Sequence, residues 1–175
     1  MMNYLYRLFL AFNSTYLIIV VYLIKGDFHM TILAKFSHCV SWALFISLPI
    51  VLTYISFFVA RLLARDAIAR TSIVEIELAN NSFLPTYLGY FFVSLGVNDV
   101  PTLLAVFLII YIFTFLSQSL YFNPIFLLFG YQFYFLKTTS NIKIFLITRK
   151  SLKNPGDDGF EGLRRINDYT FIDMA

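Results

Sequence analysis

Charged residues divide the chain into long apolar stretches. Arg7 and Lys25 enclose 17 uncharged residues, Leu8 to Ile24, and Lys35 and Arg61 enclose 25, Phe36 to Ala60. Glu77 and Asp99 enclose 21, Leu78 to Asn98, and Asp99 and Lys137 enclose 37, Val100 to Leu136. A helix needs about 20 mostly apolar residues to cross a bilayer. The pattern therefore predicts four spans, at about 8–24, 36–60, 83–98 and 102–122. The third is short because Asn80, Asn81 and Ser82 open its stretch. The fourth stretch divides at Asn123-Pro124, since proline disfavours helix at the residue before it. Residues 125–136 are too few to span as a helix. Their Phe, Tyr and Ile content reads as a strand, with a re-entrant half-helix as the alternative. No small-residue cleavage site precedes Lys25, so the first apolar run reads as a retained helix and not a signal peptide.

Elsewhere the period changes. Arg61 to Arg70 contains good helix formers and no breaker, which predicts that the second span continues past the membrane. Ile73 to Leu78 alternates Glu75 and Glu77 with Val74, Ile76 and Leu78, the mark of a half-buried strand. Tyr131–Lys137 and Ile142–Arg149, joined by Thr138-Thr139-Ser140-Asn141, read as a β-hairpin. Asn154 to Gly159 is a turn signal. Asn167 to Asp173 is apolar enough to add a strand or to dock. The expected fold is a membrane all-α bundle of four transmembrane helices (1–124, with a cytosolic loop at 61–82), followed by a small cytosolic β-rich tail built on the hairpin (125–175).

Composition supports a membrane setting. The 175 residues are 59% hydrophobic and 13% charged, with 21 Phe and 12 Tyr. Soluble domains run nearer 45–50% apolar and about 25% charged. So short a chain has too little interior to hide such a surplus. An ordinary soluble enzyme, a disordered chain and a disulfide scaffold are excluded. Eleven of the thirteen Lys and Arg residues fall in 1–7, 61–82 and the tail, leaving only Lys25 and Lys35 for the other side. By the positive-inside rule both termini are cytosolic. The basic residues are scattered, so no phosphate-tracking groove is expected and no direct nucleic-acid binding.

Candidate chemistry is sparse. His38 sits at the interfacial end of a span and His29 in a loop. Cys39 reads as a small buried hydrophobe. Asp157 and Asp158 beside Gly159 read as turn residues, without the ligand alternation of a calcium loop. No nucleophile–base pair, phosphate loop or metal-ligand set is present, so no catalytic, cofactor or metal site is expected. Within the spans, Asn13, Thr15, Ser117, Gln118 and Ser119 are candidates for helix packing or for lining a pore. Tyr4, Tyr6, Tyr121 and Tyr131 read as interfacial anchors.

The wording is most distinctive around the end of the fourth span. Phe122-Asn123-Pro124-Ile125-Phe126-Leu127-Leu128 is followed by Gly130-Tyr131-Gln132-Phe133-Tyr134 and then Leu146-Ile147-Thr148-Arg149. With the apolar plan before it and the short tail after, this resembles KwaA, the membrane subunit of the bacterial Kiwa anti-phage defence system. The resemblance implies a non-enzymatic inner-membrane protein that assembles as a homotetramer. It also implies a sensor of phage attack that recruits a cytosolic DNA-binding effector resembling KwaB. Arg164, Arg165, Tyr169, Phe171 and Ile172 are the candidate effector contacts, because Arg and aromatic residues commonly anchor interfaces. The alternative reading is a small oligomeric channel.

Overall fold

The computed structural model describes residues 2–27, 38–69, 72–82, 84–117, 123–155 and 160–174. The expected four-helix all-α bundle does not form. The chain contains helices α1 (Met2–Thr15), α2 (Leu17–Lys25), α3 (His38–Ala60), α4 (Leu84–Gly96), α5 (Val100–Ser117) and the single turn α6 (Ile125–Leu128). Strands β1 (Arg65–Ile68), β2 (Ile73–Leu78), β3 (Gln132–Thr138), β4 (Lys143–Thr148), β5 (Phe160–Arg165) and β6 (Thr170–Asp173) make one mixed sheet in the order β1-β5-β6-β4-β3-β2. Among the described residues, three helical stretches are long and apolar enough to cross a membrane: Met2–Lys25, Cys39–Ala60 and Val100–Ser117.

Local chemistry explains these departures. Ser14 and Thr15 turn their hydroxyls back onto Ala11 O, each at 2.9 Å. Such back-bonding bends helices, and the first apolar stretch breaks at Tyr16. The third stretch yields only the 13 residues of α4. They extend about 20 Å, against a hydrocarbon core of about 30 Å. The predicted helix at 61–70 is absent because Arg65–Ile68 pairs antiparallel with β5. Tertiary pairing overrides a weak helical propensity there. Residues 125–136 are not one strand. Pro124 leads into α6, Gly130 adopts φ +78, and β3 begins at Gln132. The expected strand at 73–78 and the hairpin are present as β2 and β3–β4, but as parts of a larger sheet.

The chain forms two compact units. One comprises Met1–Arg7, Ser56–Ser82 and Pro124–Ala175, and the other Leu8–Ile55 and Phe83–Asn123. In the first, β6 joins β4 in parallel and β5 antiparallel, so the tail strands lie between β1 and β2. Tyr134, Leu136, Ile144, Leu146, Phe160, Leu163 and Phe171 form the core on one face, with Ile68 and Ile76 from the two edge strands packed against it. On the other face Phe133 stacks on Phe145 at 5.8 Å and meets Phe126. Phe57 stacks on Tyr131 at 4.6 Å beside them. Burial pushes the Tyr131 phenol pKa up, although the Arg149 guanidinium 4.7 Å from its ring pulls the other way.

In the second unit α4 runs beside the broken first stretch, with side chains donating to main-chain carbonyls. Tyr87 Oη reaches Ser14 O at 3.1 Å and Ser94 Oγ reaches Ile18 O at 2.9 Å. Lys25 Nζ closes the end of α4 through Leu95 O at 2.6 Å and Val97 O at 2.9 Å. Asp99 then caps α5 by accepting the Thr102 N–H at 2.9 Å, which holds its carboxyl below the usual range.

Leu146 is fully buried in the sheet core, whereas Val74 is 55% exposed. Leu146→Ala is expected to lose about 2–5 kcal/mol of stability. Val74→Ala is expected to stay within about 0.5 kcal/mol. Chemical denaturation in detergent compares them, and equal losses would contradict the assigned core.

Candidate functional site

Two places gather the chain's polar chemistry. The first is a buried node in the second unit. Asn13 Nδ2 and Asn123 Nδ2 both donate to Thr53 Oγ1 at 2.9 Å. Thr53 Oγ1 donates to Pro49 O at 2.8 Å. A hydroxyl has one donor and two acceptor lone pairs, so Thr53 Oγ1 can make all three bonds at once. All three side chains are at most 1% exposed. Asn13 Oδ1 is buried and has no hydrogen-bond partner. The node ties α1, α3 and the Asn123-Pro124 junction together across wide sequence separations.

The second place is the tail surface in the first unit. Arg164 Nη1 donates to Leu63 O at 2.9 Å. Arg165 Nε pairs with Asp66 Oδ2 at 2.9 Å, and its guanidinium lies 5.9 Å from the Phe171 ring. Phe171 and Ile172 are buried strand residues, while Tyr169 is 61% exposed. Arg165, Tyr169 and Phe171 share the lining of one hollow of about 300 Å³ with Ile68, Ile144 and Asp168. Its floor is therefore the sheet core, and its rim is charged and aromatic.

The predicted residues thus separate. Asn13 enters the node, and Thr15 satisfies its hydroxyl on Ala11 O and Phe12 O of its own helix. Ser117 Oγ likewise bonds to Thr114 O at 3.1 Å. Gln118, Ser119, Tyr121, His29, Asp157 and Asp158 lie outside the described residues, as does the side chain of His38. Cys39, expected to be buried, is exposed at the start of α3. Among the described residues no three His, Cys, Asp or Glu side chains gather where a metal would bind. Sequence reasoning missed Thr53, whose only signal is a hydroxyl four residues after Pro49 in an apolar run. It also missed Asp66 and Asp168, because nothing in their own segments shows that β1 lies beside the β5–β6 turn.

These features define a class: a protein with three membrane-length apolar helices among the described residues, a buried amide–hydroxyl node and a basic unit built on a mixed sheet. A family model described as anti-phage protein KwaA matches residues 6–172, nearly the whole chain. The chain belongs to the KwaA family, and that membership implies a role in anti-phage defence. Comparison with curated proteins and with solved structures finds no match.

Thr53→Val keeps the shape but removes the hydroxyl that accepts from both buried amides. A loss of about 1–3 kcal/mol is expected, with Thr53→Ser recovering most of it. Thermal unfolding in detergent measures this. Equal stability of wild type and Thr53→Val would show that the node carries no load.

Proposed function

We propose that this chain is a non-enzymatic, multi-pass protein of the bacterial inner membrane that senses phage attack and recruits a cytosolic effector. Its family role in anti-phage defence supports the reading. The observation that carries the topology is the distribution of charge between the two units. The unit made of 1–7, 56–82 and 124–175 holds eleven of the thirteen Lys and Arg residues, and the other holds Lys25 and Lys35. Cationic segments are retained on the cytosolic side, so this unit and both termini face the cytosol, with the short α4 and its flanking residues carrying the chain to the level of Lys25 before α5 crosses back. Exposed apolar side chains along α3 and α5, among them Leu44, Val51, Leu108 and Phe113, suit contact with lipid and with neighbouring copies. The homotetramer is the assembly that the resemblance implies.

The effector docks on the cytosolic unit at the tail, where Tyr169 offers an exposed ring beside Arg165. Purification of tagged protein from its native host in mild detergent, with native mass measurement, tests this. A homotetramer carrying a soluble protein is expected. Tyr169→Ala is expected to lose the soluble protein and keep the tetramer mass. A monomer, or undiminished capture by Tyr169→Ala, would contradict the proposal.

A further inference from the structure

The hollow beside Tyr169 has a definite chemistry. Its floor is formed by Ile68, Ile144 and Phe171, which belong to the core of the sheet or pack on it. The hollow opens between the end of β1, the β3–β4 hairpin tip and the β5–β6 turn. Three separate chain segments therefore build one opening onto an apolar interior. At about 300 Å³ it stands at the small end of ligand pockets, a size that suits an anchoring side chain.

Its charge points to one kind of occupant. Asp66 and Arg165 neutralise each other in an ion pair at 2.9 Å. Asp168 forms no ion pair or side-chain hydrogen bond among the described residues, leaving a carboxylate next to the exposed Tyr169 ring. A carboxylate and an aromatic face together attract a cation. An apolar floor under such a rim complements an apolar residue with Lys or Arg next to it.

We propose that this mouth is the anchor site for the partner protein, and that it takes a large apolar side chain flanked by a basic residue. The proposal deepens the effector-docking reading and rests on it. The apolar side chain displaces water from Ile68, Ile144 and Phe171. The adjacent cation pairs with Asp168 and lies against Tyr169. Central apolar anchors in desolvated pockets dominate binding, and rim charges set orientation and rate.

The test replaces Tyr169 by p-benzoylphenylalanine in the full-length chain in its native host, followed by irradiation and mapping of the cross-linked residue. The expected product joins position 169 to a soluble protein, at or beside an apolar residue within two positions of Lys or Arg. Two variants accompany it. Ala69→Phe fills the hollow at an exposed position without changing charge, and Asp168→Lys reverses the rim. Each is expected to lower partner recovery at least tenfold, with Asp168→Asn in between and the oligomer mass unchanged. Cross-linking to an acidic segment, to lipid or to a second copy would overturn the anchor site. So would full recovery in both Ala69→Phe and Asp168→Lys. In those cases a soluble partner still recovered with wild type leaves the docking reading standing. Absence of any soluble partner from wild type would remove both.

Discussion

Four residues separate Ile68 at the end of β1 from Ile73 at the start of β2, yet these strands are the two edges of a six-stranded sheet. A flat sheet would hold its edges about 24 Å apart, five spacings of about 4.8 Å. Ser72 N–H bonds to Ala69 O at 3.0 Å, which keeps those two residues within about 7 Å, as in a turn. The edges at Ile68 and Ile73 are then at most about 15 Å apart. The sheet has to coil to satisfy that tether. Register shifts in β1, between Asp66 and Ile68, and in β2, between Ile73 and Glu75, supply local curvature. The coil puts Ile68 and Ile76, from opposite edges, on one core.

That constraint fixes the rest of the unit. The tail is enclosed by the linker that follows α3, because β3 to β6 all lie between β1 and β2. Bonds from Asn3 Nδ2 to Arg165 O and from Arg164 Nη1 to Leu63 O add the start of α1 and the segment that follows α3 to the same body. The hollow beside Tyr169 lies between the end of β1, the β3–β4 hairpin and the β5–β6 turn. The surface ion pairs, Lys143–Glu77 at 2.9 Å and Lys137–Glu75 at 3.9 Å, are exposed and add little to stability.

Legibility followed the range of the interactions. The alternation at Ile73–Leu78 and the aromatic runs either side of Thr138–Asn141 report short-range pleating, and strands stand there. The family was legible from the wording around Asn123-Pro124, and the family match confirms it. β1 was not legible. Arg65–Ile68 carries no alternating hydrophobicity, and only Phe160–Arg165, about 95 residues later, makes it a strand. Glu161, Gly162 and Arg164 likewise hide β5 from any apolar count. Counting uncharged residues overestimated only the third span, because it passed over the polar opening before α4, which leaves 13 helical residues. The buried node was half legible: Asn13 stood out as polar in an apolar run, but its partners lie 40 and 110 residues away.

Sidedness tests the account most directly. In a Cys39→Ser background, single cysteines at Gly26→Cys and at Ser140→Cys, in the β3–β4 hairpin tip, place one thiol in each unit. Spheroplasts are treated with a membrane-impermeant maleimide before and after lysis. The account predicts labelling of Gly26→Cys in intact spheroplasts, and of Ser140→Cys only after lysis. Labelling of Ser140→Cys in intact spheroplasts would place the sheet unit outside the cell and contradict it.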